Sequence, residues 1–486
     1  MGVKQGDPLS PLLFGLFIDR LEQFFRDKFG DRAGVYIASS VIIQILLYAD
    51  DLVLWAETPR QLQDLLDCLA EFCKIFKMKV NAAKSEIVVF NKEHDRAVHR
   101  WFLEGKELPM KSEFNYLSTK FSEGSACGGV KHAFEKQKHA AERALHTLWK
   151  QCYSHHIHNI RTLGYLFDSL VKPILNYGCE VWAPDILVAK KERSEKGRGE
   201  KLQNAFIRQC TGVRESSPLA VVLYEVDRRP IWHDWVKRCV RMWNKTLGRS
   251  DTDLTKITLS ENVRMALKLN NKVCWAYCFL QILCSLGVLH NKVQVLKTNE
   301  EVVESLSKID EGALKKALDK LVEEHWKIAQ GVEDPRSVAN DKRDGFKSII
   351  YKLWMHKEDQ DRSKSYIHLL NTKQHITTLA RFRLRSHNLN AESMRMHGCT
   401  SISRSDRVCR CCGMKIIEDE MHFMLECPLY QGPRQNMLQK RHMNNTPSSH
   451  MMQELMNGSS FEEWIAIAEY ISTCESIRKH YLESLE

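Results

Sequence analysis

Ser40-Val41-Ile42-Ile43-Gln44-Ile45-Leu46-Leu47-Tyr48-Ala49-Asp50-Asp51-Leu52-Val53-Leu54-Trp55-Ala56 holds two β-prone apolar runs, Ser40 to Tyr48 and Leu52 to Ala56, on either side of Ala49-Asp50-Asp51. That length and composition predict a tight hairpin. Carboxylates at the tip of an apolar hairpin are costly unless they face water or a cation, while the simpler account is that Asp is a common turn residue. Upstream, Ser10-Pro11 caps an apolar run, Leu12 to Phe29, that reads as one helix before a Gly/Asp-rich break. Downstream, Thr58-Pro59 opens a helix whose Leu62, Leu65, Leu66, Leu69, Phe72 and Phe76 follow the helical period. Lys79 to Phe90 reads as a strand with a turn at Asn81-Ala82-Ala83. Helix, hairpin, helix, strand is an α+β pattern with helices on one face of a small antiparallel sheet.

The remainder of the 486 residues is mainly helical from about Val130 onward. Lys190 to Lys201, nearly without apolar residues and with two glycines, reads as a surface loop or linker. Val273 to Leu289 reads as a buried helix, being interrupted by Gln281 and Ser285 and too short for a bilayer span. Glu301 to Gln330 and Phe461 to Leu485 read as amphipathic helices. Lys+Arg 71 against Asp+Glu 61 gives a formal charge of +10, the sign expected of a protein with a phosphate-bearing partner. With 43% hydrophobic and 27% charged residues, disorder, collagen and small disulfide scaffolds are excluded. The 16 cysteines are scattered and no charged segment followed by an apolar one opens the chain, which predicts reduced thiols in a nuclear or cytoplasmic protein. Position 6 is not Ser or Thr, so Gly2 is not a myristoylation signal. No repeat of solenoid length is present.

Gly2-Val3-Lys4-Gln5-Gly6-Asp7-Pro8-Leu9-Ser10-Pro11-Leu12-Leu13-Phe14 is a polar loop punctuated by Gly and Pro that feeds directly into a helix, a device that brings backbone close to a ligand. With Tyr48-Ala49-Asp50-Asp51, Lys79-Val80-Asn81-Ala82-Ala83-Lys84-Ser85 and Phe114-Asn115-Tyr116-Leu117, it resembles the reverse transcriptases of non-LTR (LINE-type) retrotransposons. The four motifs follow the family's order, which is far more specific than any one of them. The resemblance implies a partial polymerase palm, then a mostly helical thumb and connector, and RNA-directed DNA synthesis. RNA template, DNA primer or target, and dNTPs are the implied partners, with no membrane. Gln5, Gly6 and Tyr48 are the implied nucleotide and template contacts. Asp50 is the implied principal Mg²⁺ ligand, Asp51 an oblique one, and Lys84 a proton donor to leaving pyrophosphate.

Two-metal nucleotidyl transfer needs carboxylates converging on ions about 3.5 to 4 Å apart. In the family a second Asp lies on a strand preceding the loop motif, and here that motif begins at Met1. Asp7 belongs to the loop and Asp19 to a helix, so neither is a convincing substitute. The chain is therefore expected to be a C-terminal portion lacking fingers and the first catalytic Asp motif, with an incomplete Mg²⁺ site and no activity of its own. Ser118 and Lys77 stand where the family usually has Gly, both at expected turns.

On this reading residues 1–125 are the partial palm, 126–250 the thumb and basic helical region, and 251–370 a helical connector. Residues 371–434 form an Arg-rich zinc segment and 435–486 a helical tail. Leu170 to Trp182 resembles the family's thumb and the segment after it. Arg228 to Arg249 carries Trp232, Trp235, Val236, Val240 and Trp243 on helical spacing, with Lys237, Arg241 and Lys245 recurring every fourth residue. Two readings stand: aromatics that stack bases beside a phosphate-gripping stripe, or buried tryptophans under a solvated basic face. Cys409, Cys412, His422 and Cys427, with Cys411 as an extra thiol, have the spacing C-x₂-C-x₉-H-x₄-C, which suits a tetrahedral Zn²⁺ site. They resemble the family's C-terminal Cys-Cys-His-Cys segment. Arg381, Arg383 and Arg385 just upstream suggest a basic rim facing nucleic acid, or a solvated surface. A non-catalytic nucleic-acid-binding relic is the rival function, and a product that fails to fold is a third reading.

Overall fold

The structure, a computed structural model, describes residues 6–38, 41–90, 99–123, 128–188, 197–268, 274–289, 307–324, 346–356, 362–396, 402–441, 443 and 447–485. Among the described residues helices predominate, with four two-stranded antiparallel pairs. The chain divides into two compact units, each made of three segments. The first comprises Met1–Lys136, Gly178–Ala189 and Val236–Glu311, and the second Gln137–Tyr177, Lys190–Trp235 and Gly312–Glu486.

In the first unit the run expected as one helix is two, α1 (Ser10–Ile18) and α2 (Arg20–Phe29). They meet at Asp19, whose N–H still bonds Gly15 O while the Glu22 N–H closes a tighter turn on Asp19 O. α2 buries Leu21 and Phe25, whereas α1 buries none of its residues. Leu12 and Leu16 on α1 are 61% and 66% exposed.

The long first strand of the expected hairpin is also divided. Val41–Ile43 (β2) pairs with Val35–Ala38 (β1), and Ile45–Tyr48 (β3) pairs with Asp51–Leu54 (β4). Gln44 separates them. Its buried amide donates to Gly30 O and Ala33 O, satisfying two carbonyls of the preceding break. Ser40 lies outside the described residues.

α3 (Pro59–Ile75) begins as expected, with a reciprocal cap in which Gln61 N–H donates to the Thr58 hydroxyl and Thr58 N–H to the Gln61 side chain, both at 3.2 Å. Leu65, Leu69 and Phe72 of α3 pack with Leu21 and Phe25 of α2 into one core. Ile45, Leu47, Leu52 and Leu54, the inward face of the β3–β4 hairpin, close that core. The α+β expectation of helices covering one face of an antiparallel pair holds here.

The expected strand over Lys79 to Phe90 does not form. A 3₁₀ turn, Ala82–Lys84, is followed by a single parallel bridge between Ile87 and Met110. Pro109 accepts from Ile87 N–H but has no N–H to return, so the ladder stops there. Phe102–Leu103 (β5) pairs with Lys106–Glu107 (β6), and Glu113–Tyr116 (β7) with Thr119–Ser122 (β8).

Then follow α4 (Gly128–Ser154), α5 (Ile160–Leu166), a π turn at Phe167–Val171, α6 (Lys172–Leu175) and α7 (Cys179–Val188). The expected linker ends earlier than its composition suggests. Residues 190–196 lie outside the described residues, and α8 (Arg198–Thr211) starts right after Gly197. A Cβ on Gly199 would stand 2.5 Å from the Trp235 ring, so this glycine serves helix packing rather than a flexible loop. α9 (Leu219–Glu225), α10 (Ile231–Leu247), α11 (Leu254–Lys268) and α12 (Trp275–Ser285) complete the middle of the chain. α12 is buried along most of its length. Of the amphipathic helix expected over Glu301 to Gln330, Glu311–Glu324 is described, and Phe461–Glu483 forms the other. No helix among the described residues is long and apolar enough to cross a membrane.

Candidate functional site

Apolar β3 and β4 run up from the core in the register Ile45↔Leu54, Leu46↔Val53, Leu47↔Leu52, Tyr48↔Asp51, leaving Ala49-Asp50 as a two-residue turn. Ala49 takes a φ of +52°, the sign that two-residue hairpin turns require. Asp50 stands at the exposed tip. Tyr48 and Asp51 face away from the α2–α3 core by strand alternation, and Tyr48 is 62% exposed. Tyr116 on β7 has its pKa raised by burial and then by the charge of Asp51. Lys136 fixes the β7–β8 hairpin by donating to Asn115 Oδ1 at 2.9 Å and Ser118 O at 3.0 Å.

Lys84 is exposed at the end of its 3₁₀ turn, and Gly6 has a φ of +87° in the loop that leads into α1. Gln5 lies outside the described residues. The Asp7 carboxylate accepts from Leu9 N–H at 2.8 Å, closing a turn just before α1, whose first turn has no side-chain cap. Among the described residues, groups of three or more donor atoms close enough to share a metal occur in the Cys/His segment and not around Asp50.

Lys237, Arg241 and Lys245 occupy the outer side of α10, half-buried, exposed and exposed respectively. Arg241 Nε lies 3.6 Å from Glu311. Trp232, Trp235 and Trp243 are buried, so the tryptophans are core residues and not base-stacking platforms.

The Cys/His segment is built by two turns. An antiparallel bridge between Val408 and Ile417 closes a loop in which Cys411 N–H donates to Cys409 Sγ at 3.4 Å. The Asp419 carboxylate then accepts from His422 N–H and starts a π turn, His422–Glu426, closed by Cys427 N–H on His422 O at 2.8 Å. That extra residue per turn brings His422 and Cys427 to one side despite the four residues between them. Cys409, Cys412, His422 and Cys427 thus place their donor atoms within 4.8 Å of one another. A tetrahedral Zn²⁺ with sulfur ligands has edges of roughly 3.8 Å, so the donor set fits. His422 Nε2 faces Cys412 Sγ at 3.4 Å while Nδ1 faces Glu426 at 3.4 Å, the arrangement in which a carboxylate orients a metal-bound imidazole. Hydrogen bonds from Cys411 and Cys427 draw the Cys409 thiol far below its ordinary pKa, toward the thiolate a metal needs.

Cys411 approaches Cys409 and Glu418. Both Glu418 oxygens are taken by Arg478, each at 2.7 Å, so Glu418 anchors the C-terminal helix rather than offering a ligand. Sequence reasoning passed over Glu418, Asp419 and Glu426 as anchoring and orienting groups. The signal for the first two was the acidic run 418–420 ahead of His422, and for Glu426 its place four residues after His422.

The expected basic rim is corrected in two of its three members. Arg383 and Arg385 are 4% and 2% exposed. Arg383 pairs with Glu225 at 2.5 Å, and Arg385 with Glu392 at 3.0 Å and Glu420 at 2.8 Å. A guanidinium that cannot be neutralised must find carboxylates once buried. Arg381 remains exposed, and its Nε donates to Gly212 O.

Residues 1–121 match the family model described as reverse transcriptase (RNA-dependent DNA polymerase). The chain is 47% identical over 83 residues to the Retrovirus-related Pol polyprotein from type-2 retrotransposable element R2DM of Drosophila melanogaster, covering 17% of this chain and 7% of that protein. It is 33% identical over 131 residues to the Pol polyprotein from type-1 retrotransposable element R2 of Popillia japonica, covering 25% of this chain and 21% of that protein. Residues 1–121 are thus similar to reverse-transcriptase sequence, and the relatives are Pol polyproteins of retrotransposable elements. The chain spans about a fifth or less of the length of these relatives. The reverse-transcriptase segment holds the exposed Tyr48-Ala49-Asp50-Asp51 turn, Lys84 and Gly6, while the α10 stripe and the Cys/His cluster lie beyond it.

Proposed function

We propose that this chain is part of the RNA-directed DNA polymerase of a non-LTR element. The observation that carries the reading is the Tyr48-Ala49-Asp50-Asp51 hairpin, backed by an apolar core and exposed at its tip within the matched segment. Asp50 is the principal Mg²⁺ ligand of this reading and Asp51 an oblique one. Gln5, Gly6 and Tyr48 shape the nucleotide and template pocket, and Lys84 supplies a proton to departing pyrophosphate. Lys237, Arg241 and Lys245 hold nucleic-acid phosphates. Cys409, Cys412, His422 and Cys427 hold a structural Zn²⁺.

Asp50 and Asp51 do not complete a two-metal site by themselves, since no third donor gathers with them among the described residues. RNA-templated primer extension tests the reading. These 486 residues are expected to give background synthesis, and a longer chain carrying a second Asp-bearing strand is expected to extend the primer. Asp50→Ala is expected to abolish that extension. Synthesis that persists in Asp50→Ala would overturn the assignment of the turn. The same sparse donor set favours a second reading, a nucleic-acid-binding protein without catalysis. Primer–template retention without extension in the longer chain would select it.

A further inference from the structure

Asp and Glu make up 61 of the 486 residues, about one in eight, yet residues 143–167 and 362–391 contain neither. Both stretches belong to the second unit, and they meet there. Asn159 Nδ2 donates to Asn371 Oδ1 at 2.6 Å, and Lys373 Nζ lies 5.5 Å from the centre of the Tyr153 ring. Trp149, Tyr153, His158, Leu163 and Lys373 line one crevice. Tyr153 is 46% and Tyr165 61% exposed, and the Arg161 guanidinium stands 5.7 Å from the Tyr165 ring. Lys150, His155, His156, Arg161 and Lys373 are exposed around them. The acids that border the first stretch are already engaged, Glu142 by His139 at 3.0 Å and Asp168 by Arg228 at 3.0 Å.

We infer that this face binds single-stranded nucleic acid, with Tyr153 and Tyr165 stacking unpaired bases and Lys150, Arg161 and Lys373 taking the phosphates. A surface whose bordering carboxylates, Glu142 and Asp168, are already engaged repels a polyanion little, and cations that neutralise phosphates release the nucleic acid's condensed counterions. Open aromatic faces with cations beside them add base stacking, which a fully paired duplex cannot offer because its bases are already stacked on one another. The inference rests on the nucleic-acid partner of the preceding reading and is independent of the acidic turn.

The test is fluorescence anisotropy of the full chain with labelled oligo-uridylate, oligo-thymidylate and a blunt duplex of equal length. Tyr153→Leu with Tyr165→Leu, which keeps apolar bulk but removes the rings, is expected to weaken both single strands at least about tenfold while leaving the duplex unchanged. Tyr153→Phe with Tyr165→Phe is expected to retain binding, which separates stacking from a fold defect. Lys150→Gln with Lys373→Gln is expected to reduce the single-strand salt slope by about 1.4, at about 0.7 per phosphate contact. The ratio of oligo-uridylate to oligo-thymidylate affinity says whether RNA or DNA is the preferred ligand. Undiminished single-strand binding in the leucine pair, or equal loss on strand and duplex, would overturn this surface while leaving the preceding reading intact. No binding of any nucleic acid by the unaltered chain would overturn both.

Discussion

Lys77 shows how a single residue can carry strain that the fold tolerates. α3 ends in a left-handed cap in which Met78 N–H reaches back to Cys73 O, and Lys77 sits at the position of positive φ, +52°, that such caps reserve for glycine. Ser118, the second site where a glycine was anticipated, has a φ of +62° in the β7–β8 turn. Lys77→Gly is expected to raise stability by about 1 kcal/mol, read as a higher urea midpoint. Glu225 behaves differently. Its complete burial would raise the carboxyl pKa, but the charge and hydrogen bonds of Arg383 outweigh burial and hold it below the ordinary value. A carboxyl depressed in the folded state contributes stability that is present above its unfolded pKa and lost as pH falls through the folded one. Urea midpoints of the wild type are therefore expected to fall below about pH 4, and Glu225→Gln to show a shallower acid loss from a lower starting point. Arg383 itself was misread in the sequence because an alternating Arg pattern looks the same whether the carboxylates that receive it lie in water's place or nearby. Glu225, its partner, is 158 residues away along the chain.

At the scale of the element, local signals were legible where the chain's own neighbours decide the structure. Thr58 and Gln61 announce the start of α3, and Asp50 falls at the tip of the apolar hairpin. Thr58→Ala is expected to cost about 1 kcal/mol of stability, measured by denaturant unfolding. Where a distant residue decides, the signal failed. Lys79 to Phe90 has strand composition, but its partner at 109 is a proline. Leu12 to Ile18 is apolar and Arg20 to Phe29 is amphipathic, but no Pro or Gly stands between them to mark the break at Asp19. The Cys/His segment was legible as a spacing, while the π turn that makes the spacing work was not. Stripping Zn²⁺ with a chelator is expected to lower the melting temperature of the full chain by several degrees, and Cys427→Ser to make the chain insensitive to the chelator. A zinc content near zero in the untreated protein would remove that assignment.

For the whole molecule, the two units differ in how much of their function the sequence displayed. The first carries motifs that read in order along the chain, so their chemistry was accessible one segment at a time. The face proposed for the second unit is assembled from stretches about two hundred residues apart, 143–167 and 362–391; counting the missing carboxylates along the chain would have exposed both. α1 has a consequence of another kind. Leu12, Leu13 and Leu16 of α1 and Leu9 just before it are all more than half exposed, a row of apolar side chains at helical spacing. In a cell such a surface is what chaperones and quality-control proteases read, so the protein's abundance is expected to be set by turnover more than by synthesis. Leu12→Gln with Leu16→Gln should lengthen its half-life in a cycloheximide chase, and an unchanged half-life would show that these leucines do not set its turnover.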